Sequence, residues 1–167
     1  MGLQLNAHKT RITHTLTPFQ GQAGFDFLGF TIRQYPREKP AGKSPGFQAI
    51  LTPSEEASKR RLAVISQRLL KLQAAPQAQV IRELNPIIGG WAAYYNGIVS
   101  AEAMSRYDEQ VEHLLLNWAS KRHPNKARDW LLNRYWQRVG KREWVFTAPE
   151  GAQLRTYQQL SSQDRAR

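Results

Sequence analysis

Residues 84–118 read LNPIIGGWAAYYNGIVSAEAMSRYDEQVEHLLLNW, and their spacing decides the fold class. Counted from Met104, the apolar residues Tyr107, Val111, Leu114, Leu115 and Trp118 follow at i+3, i+7, i+10, i+11 and i+14. That is one stripe of an amphipathic helix opening at Ser100. Upstream, Trp91 and Tyr95 stand four apart with Tyr94 between them, so helical spacing gathers three rings on one face. Those rings are expected to fill the groove toward the next helix, with a tyrosine hydroxyl at the surface. Gly89-Gly90 allows a bend or a close approach there, and Asn96-Gly97 supplies a C-terminal stop.

Working outward, Thr52-Pro-Ser-Glu-Glu56 is a helix start, with Ser54 as cap and two glutamates complementing the dipole. Leu62, Ile65, Leu69 and Leu72 then recur at helical spacing, with Arg60, Arg61, Arg68 and Lys71 between them. A turn at Pro76 leads to a second helix carrying Val80, Ile81, Leu84, Ile87 and Ile88. Pro124 is expected to start a fourth helix along Ala127, Leu131 and Tyr135. Trp130 and Trp136 cannot both join that stripe, so at least one is exposed or packs on a neighbour. Residues 143–147 form a strand-like run, and the chain after Gly151 grows polar and is expected to fray.

The first third is β-rich instead. Lys9–Leu16 and Phe25–Arg33 alternate as two strands across a Pro/Gly loop, and residues 34–48 read as a basic loop with three prolines and two glycines. The boundary falls near residue 50: 1–50 as a β segment and loop, 51–150 as a helical domain, 151–167 as a polar tail. The fold class expected is therefore mainly α, with a small N-terminal hairpin-like β piece before a bundle of about four helices.

Twenty-four Lys and Arg stand against 13 Asp and Glu, a net charge of +11. Folding does not require that excess; a polyanionic partner uses it, nucleic acid first. No run approaches the ~20 apolar residues of a spanning helix. The absence of cysteine rules out disulfides and Cys-based zinc, and it accords with a reducing intracellular setting. The four histidines lack metal-ligand spacing, so neither metal nor cofactor is expected.

A catalytic constellation is missing from the pattern. Asp26 is a lone strand carboxylate between two phenylalanines, which cannot hold a pair of metal ions. Glu109 and Glu112, at i and i+3, read as a solvated helix face. Binding has the better support. Lys121, Arg122, Lys126, Arg128, Arg134, Arg138, Lys141 and Arg142 crowd one region, with Asp129 as its one acid. Arg134 and Arg138 share a helix face at i, i+4. Trp118, Trp130, Tyr135, Trp136 and Trp144 interleave with these charges, and an exposed ring beside a cation is a stacking surface for an unpaired base.

Several separated motifs, in order, resemble the group II intron reverse transcriptases, or maturases. LNPIIGGWAAYYNGIVS (84–100), MSRYDEQVEHLLLNWASKRHP (104–124), KARDWLLNRYW (126–136) and WVF (144–146) are similar to that family's thumb and maturase-specific (X) region. GLQLNAHKTRITH (2–14) and GFDFLGFTIR (24–33) resemble the last palm segment. The resemblance implies a palm remnant followed by a helical thumb/X bundle that grips structured intron RNA and assists splicing. By position it implies RNA contacts from Lys9, Arg11, Arg60, Arg61, Trp91, Tyr94 and Tyr95 as well as from the 121–142 cations. The palm's Tyr-Ala-Asp-Asp strand, whose aspartates hold the catalytic metals, has no counterpart, so no enzyme activity is expected of this chain alone. The family's arginine before Gly-Trp is Gly89 here, and its asparagine before Tyr-Tyr is Ala93.

The leading expectation is thus a non-catalytic RNA-binding module in a cytoplasmic ribonucleoprotein, off the membrane. Its alternatives are the C-terminal half of a split reverse transcriptase completed by a separate fingers/palm chain, a decayed remnant, and an unrelated DNA-binding helical domain.

Overall fold

The structure, a computed structural model, describes residues 25–27, 30–37 and 46–160. The expected strand at Lys9–Leu16, with Lys9 and Arg11, lies outside the described residues, as do 38–45 and the last seven residues. The chain divides into two compact units, Met1–Ala57 and Ser58–Arg167.

The first unit holds an antiparallel sheet in the order β1-β2-β3, made of β1 (Phe25–Phe27), β2 (Phe30–Arg37) and β3 (Gly46–Pro53). Where one strand over Phe25–Arg33 was expected, the chain folds back, pairing Phe27 with Phe30 and Phe25 with Ile32. Half of the expected basic loop is also strand, since Arg37 pairs with Gly46 and Pro36 with Phe47. Proline is tolerated there because β1 reaches only to Ile32, so farther along β2 has a described neighbour on one side and the missing donor breaks no second ladder.

Ser54 closes this unit as expected, its Oγ accepting from the Ala57 N–H at 3.2 Å to cap α1 (Glu55–Lys71). In the second unit α1 is followed by α2 (Gln77–Tyr95), α3 (Ala101–Arg122), α4 (Arg128–Tyr135) and a hairpin of β4 (Trp136–Val139) and β5 (Arg142–Phe146). The protein is mainly α, as the spacing predicts. Ser100 caps α3 through the Ala103 N–H at 3.2 Å. The stripe buries Met104, Tyr107, Val111, Leu115 and Trp118 and leaves Leu114 half-buried. Ile65, Leu69 and Leu72 of the first stripe and Val80, Ile81, Leu84 and Ile88 of the second complete the aliphatic core.

At the end of α3 the core turns aromatic. Trp118 meets Tyr135 and Phe146 edge-on at 5.4 and 6.1 Å, and Trp136 meets Phe146 at 5.0 Å. Buried edge-to-face pairs add about 0.5–1.5 kcal/mol each beyond the burial of area. The turn between α1 and α2 is sewn to this end. Trp118 Nε1 donates to the Leu72 carbonyl at 3.0 Å, Gln73 Nε2 to the Trp118 carbonyl at 3.1 Å, and Gln77 Nε2 to the Tyr135 carbonyl at 2.7 Å.

Three expectations change. The fourth helix begins at Arg128 rather than Pro124 and stops at Tyr135, because the chain leaves as a strand that buries Trp136. The polar tail is packed over its first part: Leu154 and Tyr157 are buried, and the Leu154 N–H donates to the Phe146 carbonyl at 2.9 Å. Finally, α2 runs unbroken through Pro86, Gly89 and Gly90. A Cβ on either glycine would meet nothing within 4 Å, so neither serves a close approach or a bend.

It follows that Gly90→Ala should stabilise the chain. Alanine gains about 0.5–1 kcal/mol over glycine inside a helix, a rise in Tm of roughly 1–4 °C for a chain this size. A lowered Tm in a calorimetric melt would show that the glycine pair does structural work.

Candidate nucleic-acid interface

Arg61 of α1 reaches across to the ring cluster of α2. Its guanidinium carbon lies 4.3 Å from the Tyr95 ring centroid and 5.4 Å from those of Trp91 and Tyr94. Tyr95 is buried at 2% exposure, and Trp91 is half-buried, stacked at 6.2 Å on Tyr157. Tyr94 is 55% exposed. The expected burial of all three rings is therefore corrected: successive helical residues turn by about 100°, so Tyr94 swings outward as Tyr95 turns in. Burial pushes the Tyr95 hydroxyl up to about 12, against the opposing pull of Arg61, and burial also raises Tyr157. Arg60, the residue before Arg61 on α1, is exposed.

The second cationic region surrounds α4. Arg122 turns inward, over the Trp118 ring at 4.6 Å, donating to the Gln73 carbonyl at 3.0 Å and to the Ala75 carbonyl. It is a structural cation. Lys121, Lys126, Arg128, Arg134, Arg138 and Lys141 are exposed, and none is in an ion pair with a described carboxylate. Lys126 lies over Trp130 at 5.1 Å, Arg134 over Tyr135 at 5.3 Å and Arg138 over Trp144 at 5.8 Å. Trp130 and Trp144 are 38% and 37% exposed, whereas Trp136 is buried. Arg134 and Arg138 do not share a helix face, since Arg138 belongs to β4. The side chain of Arg142 lies outside the described residues.

Trp144 has φ +55°, a conformation that costs a bulky residue of order 1–3 kcal/mol. The register of β4 and β5 also shifts between Gln137 and Val139. Such irregularities re-aim side chains, and here they sit beside an exposed tryptophan and its arginine.

Glu112 is not the solvated group that its spacing implied, and Asp108 beside it is engaged as well. Glu112 accepts from Trp136 Nε1 at 2.8 Å, and Asp108 accepts from the N–H groups of Tyr157 and Gln158 at 2.8 and 3.1 Å. Burial raises both, each to about 6, opposed by those hydrogen bonds. Glu109 stays exposed. Among the described residues no three His, Cys, Asp or Glu groups are placed to hold a metal ion, and no helix is long and apolar enough to cross a membrane.

Sequence reasoning missed Arg82, Asn85, Arg155 and Tyr157, which the packed segment after Gly151 brings against α2 and α3. Leu154 and Tyr157, three apart in a polar stretch, were the available signal. Residues 59–136 match the family model described as the group II intron, maturase-specific domain. No curated protein matches the chain.

A carboxylate raised by burial stabilises the fold fully below its unfolded value, 4.5 for Glu112, and that contribution is lost as pH rises through about 6. Glu112→Gln keeps an acceptor for Trp136 and removes the titration. Its urea midpoint should therefore fall less than the parent's between pH 4.5 and 7.5. Parallel midpoint curves would contradict the burial assignment.

Proposed function

We propose that this chain, whose residues 59–136 match the group II intron maturase-specific domain model, binds structured intron RNA and assists its splicing without catalysing a reaction itself. The observation that carries the reading is the set of six exposed, carboxylate-free cations at 121–141, interleaved with the exposed rings of Trp130 and Trp144. Cations neutralise phosphates and release counterions, which supplies affinity. Rings next to cations stack on unpaired bases at about 1–3 kcal/mol per base. Arg60, Arg61 and the exposed Tyr94 offer the same pairing on α1 and α2.

A second reading makes this chain the C-terminal half of a split reverse transcriptase. It is favoured by β3, which among the described residues has a neighbour only on the β2 side, leaving an edge on which strands of a separate fingers/palm polypeptide could add. Co-expression with such a polypeptide, followed by primer extension, separates the two readings.

The triple variant Arg128→Gln, Arg134→Gln, Arg138→Gln should weaken intron RNA binding tenfold or more at physiological salt while the melt is unchanged. Trp130→Ala should weaken binding to single-stranded RNA more than to a duplex, by roughly fivefold or more. Unchanged affinity in the triple variant would contradict the proposed interface.

A further inference from the structure

Asn85 of α2 fastens the chain that follows Gly151. Its Nδ2 donates to the Gln153 carbonyl at 3.0 Å, and its Oδ1 accepts from the Arg155 N–H at 2.8 Å. Upstream, a tight turn is closed by bonds from the Gly151 N–H to the Ala148 carbonyl at 2.9 Å and from the Ala148 N–H to the Ala152 carbonyl at 2.8 Å. Gly151 there has φ +96°, which glycine adopts without strain. The segment is thus fixed at two points, and Arg155 is held beside the helix face that carries Arg82, three residues before Asn85.

An open cleft of about 790 Å³ lies between them, lined among others by Arg82, Arg155, Glu150 and Gln159 with Ile81 and Leu154. That volume is within the usual ~300–1,000 Å³ of small-molecule sites. Both arginines are exposed, and neither guanidinium is in an ion pair with a described carboxylate.

Two unpaired guanidinium groups are suited to phosphate, which each can hold through two parallel N–H bonds. Glu150 narrows the choice. A carboxylate in the same cleft repels a bare anion and favours a ligand that brings hydrogen-bond donors with its phosphate. A ribonucleotide brings both, since its hydroxyls and base N–H groups donate alongside its phosphate. An acidic peptide would satisfy the arginines and leave Glu150 opposed.

We infer that this cleft holds one unpaired nucleotide of the bound RNA, its phosphate between Arg82 and Arg155 and its donor groups toward Glu150. This rests on the RNA-binding reading, but the site draws Glu150, Arg155 and Gln159 from beyond the family-matched residues 59–136.

The test uses the full chain, with guanosine monophosphate as probe, followed through side-chain amide resonances of Asn85 and Gln159. The nucleotide should shift both, Arg82→Ala with Arg155→Ala should weaken it at least tenfold, and Glu150→Gln should weaken it severalfold while inorganic phosphate, relieved of the carboxylate's repulsion, binds more tightly. Both arginine replacements are at exposed positions, and the thermal melt checks that the fold is kept. Equal responses to phosphate and nucleotide, or tighter binding of an acidic peptide, would overturn the inference. On RNA, the double-arginine variant should lose affinity for a single-stranded oligomer and keep it for a duplex. If it loses neither while the triple α4 variant loses both, the nucleotide cleft is wrong and the RNA reading stands. If the parent chain binds no RNA at all, the reading beneath it fails.

Discussion

The second unit depends on how the chain following α1 satisfies its carbonyl groups. A helix leaves its final carbonyls without intrahelical donors, and they carry the negative end of the dipole. Here Trp118 and Arg122, four residues apart on α3, supply donors to Leu72, Gln73 and Ala75. Arg122 also lies over the ring of Trp118, so one cation serves a hydrogen-bond and a π contact at once. Removing it would leave partly buried carbonyls unsatisfied, at about 1–3 kcal/mol each. This junction fixes the end of α3, from which α4 and the β4–β5 hairpin are carried.

Once that junction is set, the remaining charges divide by direction. Arg122 and Arg61 lie against aromatic rings inside the unit, whereas Lys121, Lys126, Arg128, Arg134, Arg138 and Lys141 face solvent. Asp129 in the first turn of α4 is exposed, as is Glu109, whereas two carboxylates of α3 are engaged within the fold. Glu112 is held by the Trp136 indole, and Asp108 receives the backbone after Thr156. The outer cations form no ion pair with a described carboxylate, so they keep their charge for a partner. The exposed rings of Trp130 and Trp144 then add a surface that a polycation alone lacks.

The helices were legible because burial on one face imposes a period of about 3.6 residues, and Met104, Val111, Leu115 and Trp118 keep to it. Ser54 and Ser100 were legible as caps for an equally local reason. The end of α4 was not. Nothing between Tyr135 and Trp136 breaks a helix, and the strand there is selected by a bond to Glu112, twenty-four residues away. Arg122 could not be told from Arg128 in the sequence, since both are arginines in a cationic run and only the tertiary position of the α1–α2 turn separates them. The cleft at Asn85 was hidden for the same reason: half of it comes from a stretch whose composition resembles a tail.

If the outward cations meet RNA phosphates as proposed, binding must respond to ionic strength. Six phosphate contacts predict that log K for intron RNA falls linearly with log salt, with a slope of about −4 to −5. A slope near zero over the same range would contradict it.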